Sequence, residues 1–135
     1  MAEDIRQNFG TDTPVTIALD SLANATSVVS SAVNVGSPGP FTLSLEVKLA
    51  GLSASNTGNV DIYAQFSNDN ADFSDSGNDL LVGTVGLNGT TGVIKTLSMP
   101  VLAQYVKLRA QNNSGDALAA SGNTIRYVPI SVDQV

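Results

Sequence analysis

The sequence contains no histidine, no cysteine and no tryptophan. Without His, the Ser-His-Asp and Cys-His constellations of nucleophilic catalysis are excluded. Without Cys there is neither a disulfide framework, a thiolate metal site nor a thiol nucleophile. Charge is scarce too: 13% of the 135 residues are charged, against about 25% in a typical soluble domain. Only Arg6, Lys48, Lys95, Lys107, Arg109 and Arg126 are basic, and the formal net charge is −6. With no basic patch to neutralise phosphates, nucleic acid is not an expected partner. No apolar run approaches the roughly 18 residues of a membrane span, and the stretch Met1 to Gly10 carries two acids and no signal-like apolar segment. No membrane partner and no export by a signal peptide are therefore expected. The Asn-x-Ser/Thr matches at Asn24, Asn88 and Asn112 then read as chance in an Asn/Ser/Thr-rich chain.

Ser, Thr, Asn and Gly fill the polar positions that charge leaves vacant. Such a surface suits a protein built to sit against other proteins, because charge depletion marks interface cores. It equally suits strands whose solvent faces use Thr and Ser to fit the pleat. Composition alone leaves both readings open.

The strongest local pattern is Phe41 to Leu49, with apolar residues at every odd position and polar ones at every even position. Period two demands a strand with one face on a core and the other, bearing Glu46 and Lys48, in water. The turn-forming cluster Gly36-Ser37-Pro38-Gly39-Pro40 introduces it. Alternation also predicts strands around Val15, Ile17 and Leu19, over Val60 to Phe66, and over Val106 to Gln111. Weaker patterns cover Thr26 to Val35, Leu80 to Val85 and Val93 to Ser98. A last strand runs from Asn123 to Val132, with Val128, Ile130 and Val132 on one face and Pro129 marking an edge or a bulge. Loops rich in Gly, Asn, Ser or Asp separate them, and the one stretch with room for a helical turn, Asp116 to Ala120, is too short to change the class. The result is an all-β, antiparallel β-sandwich of about eight strands, jelly-roll-like, in one domain over residues 13–135 behind an N-terminal arm, 1–12.

Carboxylates are the one catalytic resource left, and in a strand-rich acidic chain they are ordinarily solvated, so no enzyme activity and no cofactor are expected. The densest polar stretch, Ser67 to Asp79, holds four acids. It reads first as an Asx-turn loop with Phe73 tucked over the core. Calcium is the alternative, although the spacing lacks an EF-hand pattern and no metal ligand is assigned. Tyr63 and Tyr127 fall on expected outer strand faces, where stacking on a sugar is conceivable without Trp to strengthen it.

The stretch Tyr63-Ala64-Gln65-Phe66-Ser67-Asn68-Asp69-Asn70-Ala71-Asp72-Phe73-Ser74 resembles the strand and Ser-x-Asp loop of discoidin-like or galactose-binding-like jelly rolls, with Asn70 where those have Gly. Tyr105 to Ala110 is similar to a later strand of the same domains, and the resemblance implies jelly-roll topology. The whole chain, acidic, free of Cys and His, and rich in Ala, Gly, Ser, Thr, Asn and Val, resembles small structural proteins of tailed bacteriophages, above all capsid decoration or cement proteins. That resemblance implies a virion-surface protein, made in the host cytoplasm, whose partner is the major capsid protein and whose state is a homo-oligomer, dimer or trimer. The contact expected to carry it is the arm, through Ile5, Arg6 and Phe9. A carbohydrate- or receptor-binding module of a phage tail or cell surface is the alternative.

Overall fold

The computed structural model describes residues 5–134 except Pro38 and Leu52. Ten strands follow one another: β1 (Ile5–Phe9), β2 (Thr13–Pro14), β3 (Thr26–Val29), β4 (Val33–Asn34), β5 (Thr42–Leu49), β6 (Asn59–Ser67), β7 (Leu80–Gly86), β8 (Val93–Pro100), β9 (Tyr105–Asn113) and β10 (Thr124–Gln134). They form two antiparallel sheets. The first has the order β1-β10-β5-β8, with β2 following β1 along the same flank of β10. The second has the order β3-β9-β6-β7, with β4 following β3 along β9. Because β1 and β2 share one position and β3 and β4 another, the chain fills eight positions in jelly-roll order.

Alternation dictates the layering. Leu43, Leu45, Val47 and Leu49 of β5 point inward, in register with Ile125 and Tyr127 of β10 and with Leu97 and Met99 of β8. From the other sheet, Val60, Ile62 and Ala64 of β6 and Val106, Leu108 and Ala110 of β9 meet them. Glu46 and Lys48 stay in water, as the period of two requires. Phe41 differs: it precedes β5 and is half exposed.

Several sequence expectations are corrected. Only Thr13 and Pro14 pair as a strand near Val15, Ile17 and Leu19. Val15 still donates to the Ile125 carbonyl (2.9 Å), but beyond it the chain crosses from one sheet to the other, so Leu19 is buried without a ladder and the Thr16 carbonyl accepts from the Ser31 N–H. Thr26 to Val35 is two strands, not one. At the break, buried Ser30 puts its hydroxyl in the path of the Leu108 N–H (2.9 Å), replacing a carbonyl of the ladder. No helix forms at Asp116 to Ala120, where the backbone bonds to neighbouring loops. Tyr127 faces inward, paired with buried Leu45, and packs against the core.

Side-chain amides anchor the loops at one end of the sandwich. Asn56 donates to the Ser114 hydroxyl at 2.9 Å and to the carbonyls of Asp116 and Ala117 at 3.2 Å. Asn112 donates to the carbonyls of Leu22 (2.8 Å) and Asp116 (2.9 Å). Asn123 donates to Asp20 and to the Ala119 carbonyl and accepts from the Ala50 N–H. Asn112 is fully buried, so a glycan could not be built on its Asn-x-Ser motif without breaking this anchor.

Truncating the core and truncating an anchor should therefore be separable from surface changes. Leu45→Ala should cost about 2–5 kcal/mol and Asn112→Ala about 1–3 kcal/mol. Phe41→Ala should cost no more than about 0.5–1 kcal/mol. Urea unfolding midpoints at constant slope measure all three.

Candidate functional site

Two surfaces hold the groups that sequence reasoning singled out. The first is the edge of the first sheet. The described part of the expected arm, Ile5–Phe9, is strand β1, paired in register with the end of β10 from Ile5↔Gln134 to Phe9↔Ile130. Beyond Phe9 the ladder breaks. Gly10 donates to the Pro129 carbonyl (2.8 Å), Pro129 has no N–H to return the bond, and pairing resumes only at Thr13↔Tyr127. A Cβ on Gly10 would lie 2.6 Å from the Pro129 ring, so a glycine fits this crossing. Asp12 closes it with an exposed ion pair to Arg126 at 3.0 Å.

Alternation sorts the expected contact residues. Ile5, Gln7 and Phe9 share the outer face of the sheet with Val132, and Ile5, Phe9 and Val132 are 73%, 63% and 51% exposed. Arg6 lies on the opposite face, in register with Asp133. The structure thus brings Ile5 and Phe9 together and sets Arg6 apart. On the Arg6 side, Asn8, Ser131 and Asp133 border an open cleft of about 390 Å³ against Gly39 and Pro40.

The second surface is the outer face of the second sheet. Tyr63 of β6 is in register with Arg109 of β9, whose guanidinium carbon lies 4.1 Å from the ring centroid. Arg109 grips Asp79 through Nε (2.7 Å) and Nη2 (3.3 Å), and the Gln65 amide donates to the same carboxylate at 3.4 Å. Beside them Asp61 accepts from Thr84 (2.7 Å) and Asn113 (3.2 Å). Burial works hardest against the Asp79 charge, yet the hydrogen bonds and charge of Arg109, with Gln65, outweigh it and hold the carboxyl below its ordinary range. Sequence reasoning placed Tyr63 correctly on this face but missed the Arg109–Asp79 pair, which joins residues thirty positions apart.

Ser67 to Asp79 is an Asx-turn loop. The Asp69 carboxylate accepts from the N–H groups of Ala71 and Asp72, both at 2.9 Å, and from the Ser67 hydroxyl at 2.8 Å. Those bonds, led by Asp72, lower its pKa from 3.8 to about 2. Asn70 takes the left-handed conformation at φ 60°. Asp75 accepts from Asn78, and Asp79 faces Arg109, so the acids turn to separate partners. Among the described residues no three acidic groups gather as a metal site. Phe73 lies under the Lys107 ammonium (4.3 Å) on the outer face, not over the core as expected.

No protein-family model and no curated protein matches the chain. Among solved structures, the CBM22-1 xylan-binding domain from Paenibacillus barcinonensis Xyn10C aligns with a TM-score of 0.43 at 10% identity, over 99% of this chain and 96% of that one. The enzymatically active domain of bacteriophage CBA120 tailspike protein 4 aligns with a TM-score of 0.37 at 16% identity, over 97% of this chain and 19% of that one.

The carboxylates set an acid limit. A carboxyl whose pKa is lower folded than unfolded stabilises the fold above its unfolded value, and that contribution is lost as pH falls through the folded value. For Asp69 the window runs from about pH 4 down to about 2. Melting temperature should fall across it, and Asp69→Asn should flatten the slope. Asp79→Asn, which leaves Arg109 with half its partner, should cost about 1.5–3 kcal/mol at pH 7, read by the same melts.

Proposed function

We propose that this chain is a non-catalytic structural protein of a phage virion that binds the exterior of the assembled capsid and stabilises it. The observation supporting this reading is the β1–β10 ribbon, where Ile5 and Phe9 of β1, a strand with no buried residue, form an outward-facing apolar set with Val132 of β10. A two-stranded ribbon with five exposed residues gains little from folding alone. Its apolar face gains much if a partner covers it. The major capsid protein is that partner in this reading. A rigid sandwich docked on each lattice site favours the assembled shell over its ruptured form by mass action, and many copies multiply the effect. None of this calls for a catalytic group or a cofactor.

A second reading is favoured by a different observation. On the outer face of the second sheet, Tyr63, Arg109, Gln65 and Asp61 form a preorganised polar platform around an aromatic ring, the kind of surface that receives a sugar. A tail-borne or cell-surface module binding carbohydrate or a receptor would use it.

Co-sedimentation with DNA-filled heads and a glycan array separate the two. Ile5→Ser/Phe9→Ser should release the protein from heads and restore rupture on heating, while Tyr63→Ala leaves head binding unchanged. Glycan binding that is lost in Tyr63→Ala, without affinity for any shell, would instead establish the second reading.

A further inference from the structure

Beyond the docking face, the backbone edge of β1 carries a different message. The Gly10 N–H reaches the Pro129 carbonyl, and the Val15 N–H reaches the Ile125 carbonyl. Antiparallel ladders alternate the direction of their bonds residue by residue. With the register Arg6↔Asp133 and Asn8↔Ser131, residues 6, 8 and 10 therefore turn their peptide groups toward β10. Residues 5, 7 and 9 turn theirs away from it. Among the described residues no strand pairs with that side of β1. Of the usual guards of a free edge, Ile5–Phe9 contains no proline and no bulge, and its one charge, Arg6, stands in register with Asp133 of β10.

We infer that this edge pairs with the same edge of a second copy, β1 against β1 about a two-fold axis through Gln7. The pattern is self-complementary. Centred on Gln7, an antiparallel partner sets Gln7 opposite Gln7 and Ile5 opposite Phe9, and all three positions are those whose peptide groups are free, so the ladder closes without slippage. Charge agrees with this occupant. The chain as a whole is at −6, so two copies repel over most of their surface. Among the described residues the ribbon, 5–9 with 130–134, is neutral, because Arg6 is its one base and Asp133, in register with it, its one acid. The axis stands perpendicular to the sheet, so Ile5, Phe9 and Val132 of both copies emerge on one side and form a continuous apolar surface.

This inference concerns the backbone edge and stands whether or not the side-chain face docks on a capsid. The decisive variant is Gln7→Pro. Its N–H is not needed by β10, so the ribbon and the fold survive, but the free edge loses its central donor and gains a ring. Sedimentation velocity across a dilution series, with no capsid present, should show wild-type dimer dissociating on dilution and Gln7→Pro monomeric, both with the same far-ultraviolet circular dichroism. Ile5→Ser/Phe9→Ser, which keeps the backbone edge, should retain dimer while losing heads. Wild type that is monomeric at every concentration, or a dimer untouched by Gln7→Pro, would overturn the inference. Monomeric wild type whose capture by heads is lost in Gln7→Pro would assign the edge to a strand of the shell instead of a second copy.

Discussion

Strand β10 holds the constraint on which the first sheet depends. It must ladder with β5 on one flank and with the N-terminal strands on the other, while its side chains alternate between core and water. Ile125 and Tyr127 satisfy the core, and Arg126 and Val128 the outer face. Pro129 then removes one N–H on the N-terminal flank, and everything at that edge follows from the loss. The ladder divides into β1 and β2, Gly10 passes where a side chain would strike the proline ring, and Asp12 bridges to Arg126 across the gap. The ribbon beyond Pro129 is carried past the core, which is why none of its β1 side chains is buried.

The two outer faces are chemically unlike each other, and the difference has a physical origin. On the second sheet, Arg109 lies largely out of solvent beneath the loop that delivers Asp79, so its charge must be satisfied within the protein. Hydrogen bonds to both carboxylate oxygens, with the Tyr63 ring alongside, do that. The result is a surface whose polar groups are already paired and held in place. On the first sheet the outer face mixes Thr, Ser and aliphatic side chains with Glu46, Lys48 and Arg126, whose charges stand in water and need no partner from the protein, and apolar area is left over at the ribbon. A protein surface gains more from covering the second kind of face than from rearranging the first.

Much of the fold was legible because period-two patterns report one-sided burial directly. Phe41 to Leu49 locates β5, and comparable alternation locates β6, β9 and β10 to within a residue or two. Val15, Ile17 and Leu19 misled because alternation reports which side chains are buried, not whether the backbone is laddered, and a crossing segment buries side chains too. Tyr127 misled for the complementary reason: Val128, Ile130 and Val132 look like a core face, but the inner face of β10 carries Ile125, Tyr127 and Pro129 instead. Asn56 and Asn112 were legible only as loop residues and Asn123 only as the start of the last strand. Their burial depends on loops brought together from distant parts of the chain, which no local pattern records.

The candidate contact residues show the same division between local and non-local information. Ile5 and Phe9 stood out as apolar residues in a polar terminus, and their spacing of four places them on one strand face as it would on one helix face. That they face outward depends on the register with β10, fixed by residues 130 to 134 at the other end of the chain. Arg6 separates from them for the same reason, because one residue along a strand is one side of a sheet. The free peptide edge is further still from sequence, since it depends on which flank of β10 remains open once β5 has taken the other. Period and composition can nominate an interface, but only pairing decides whether its side chains or its backbone are available to a partner.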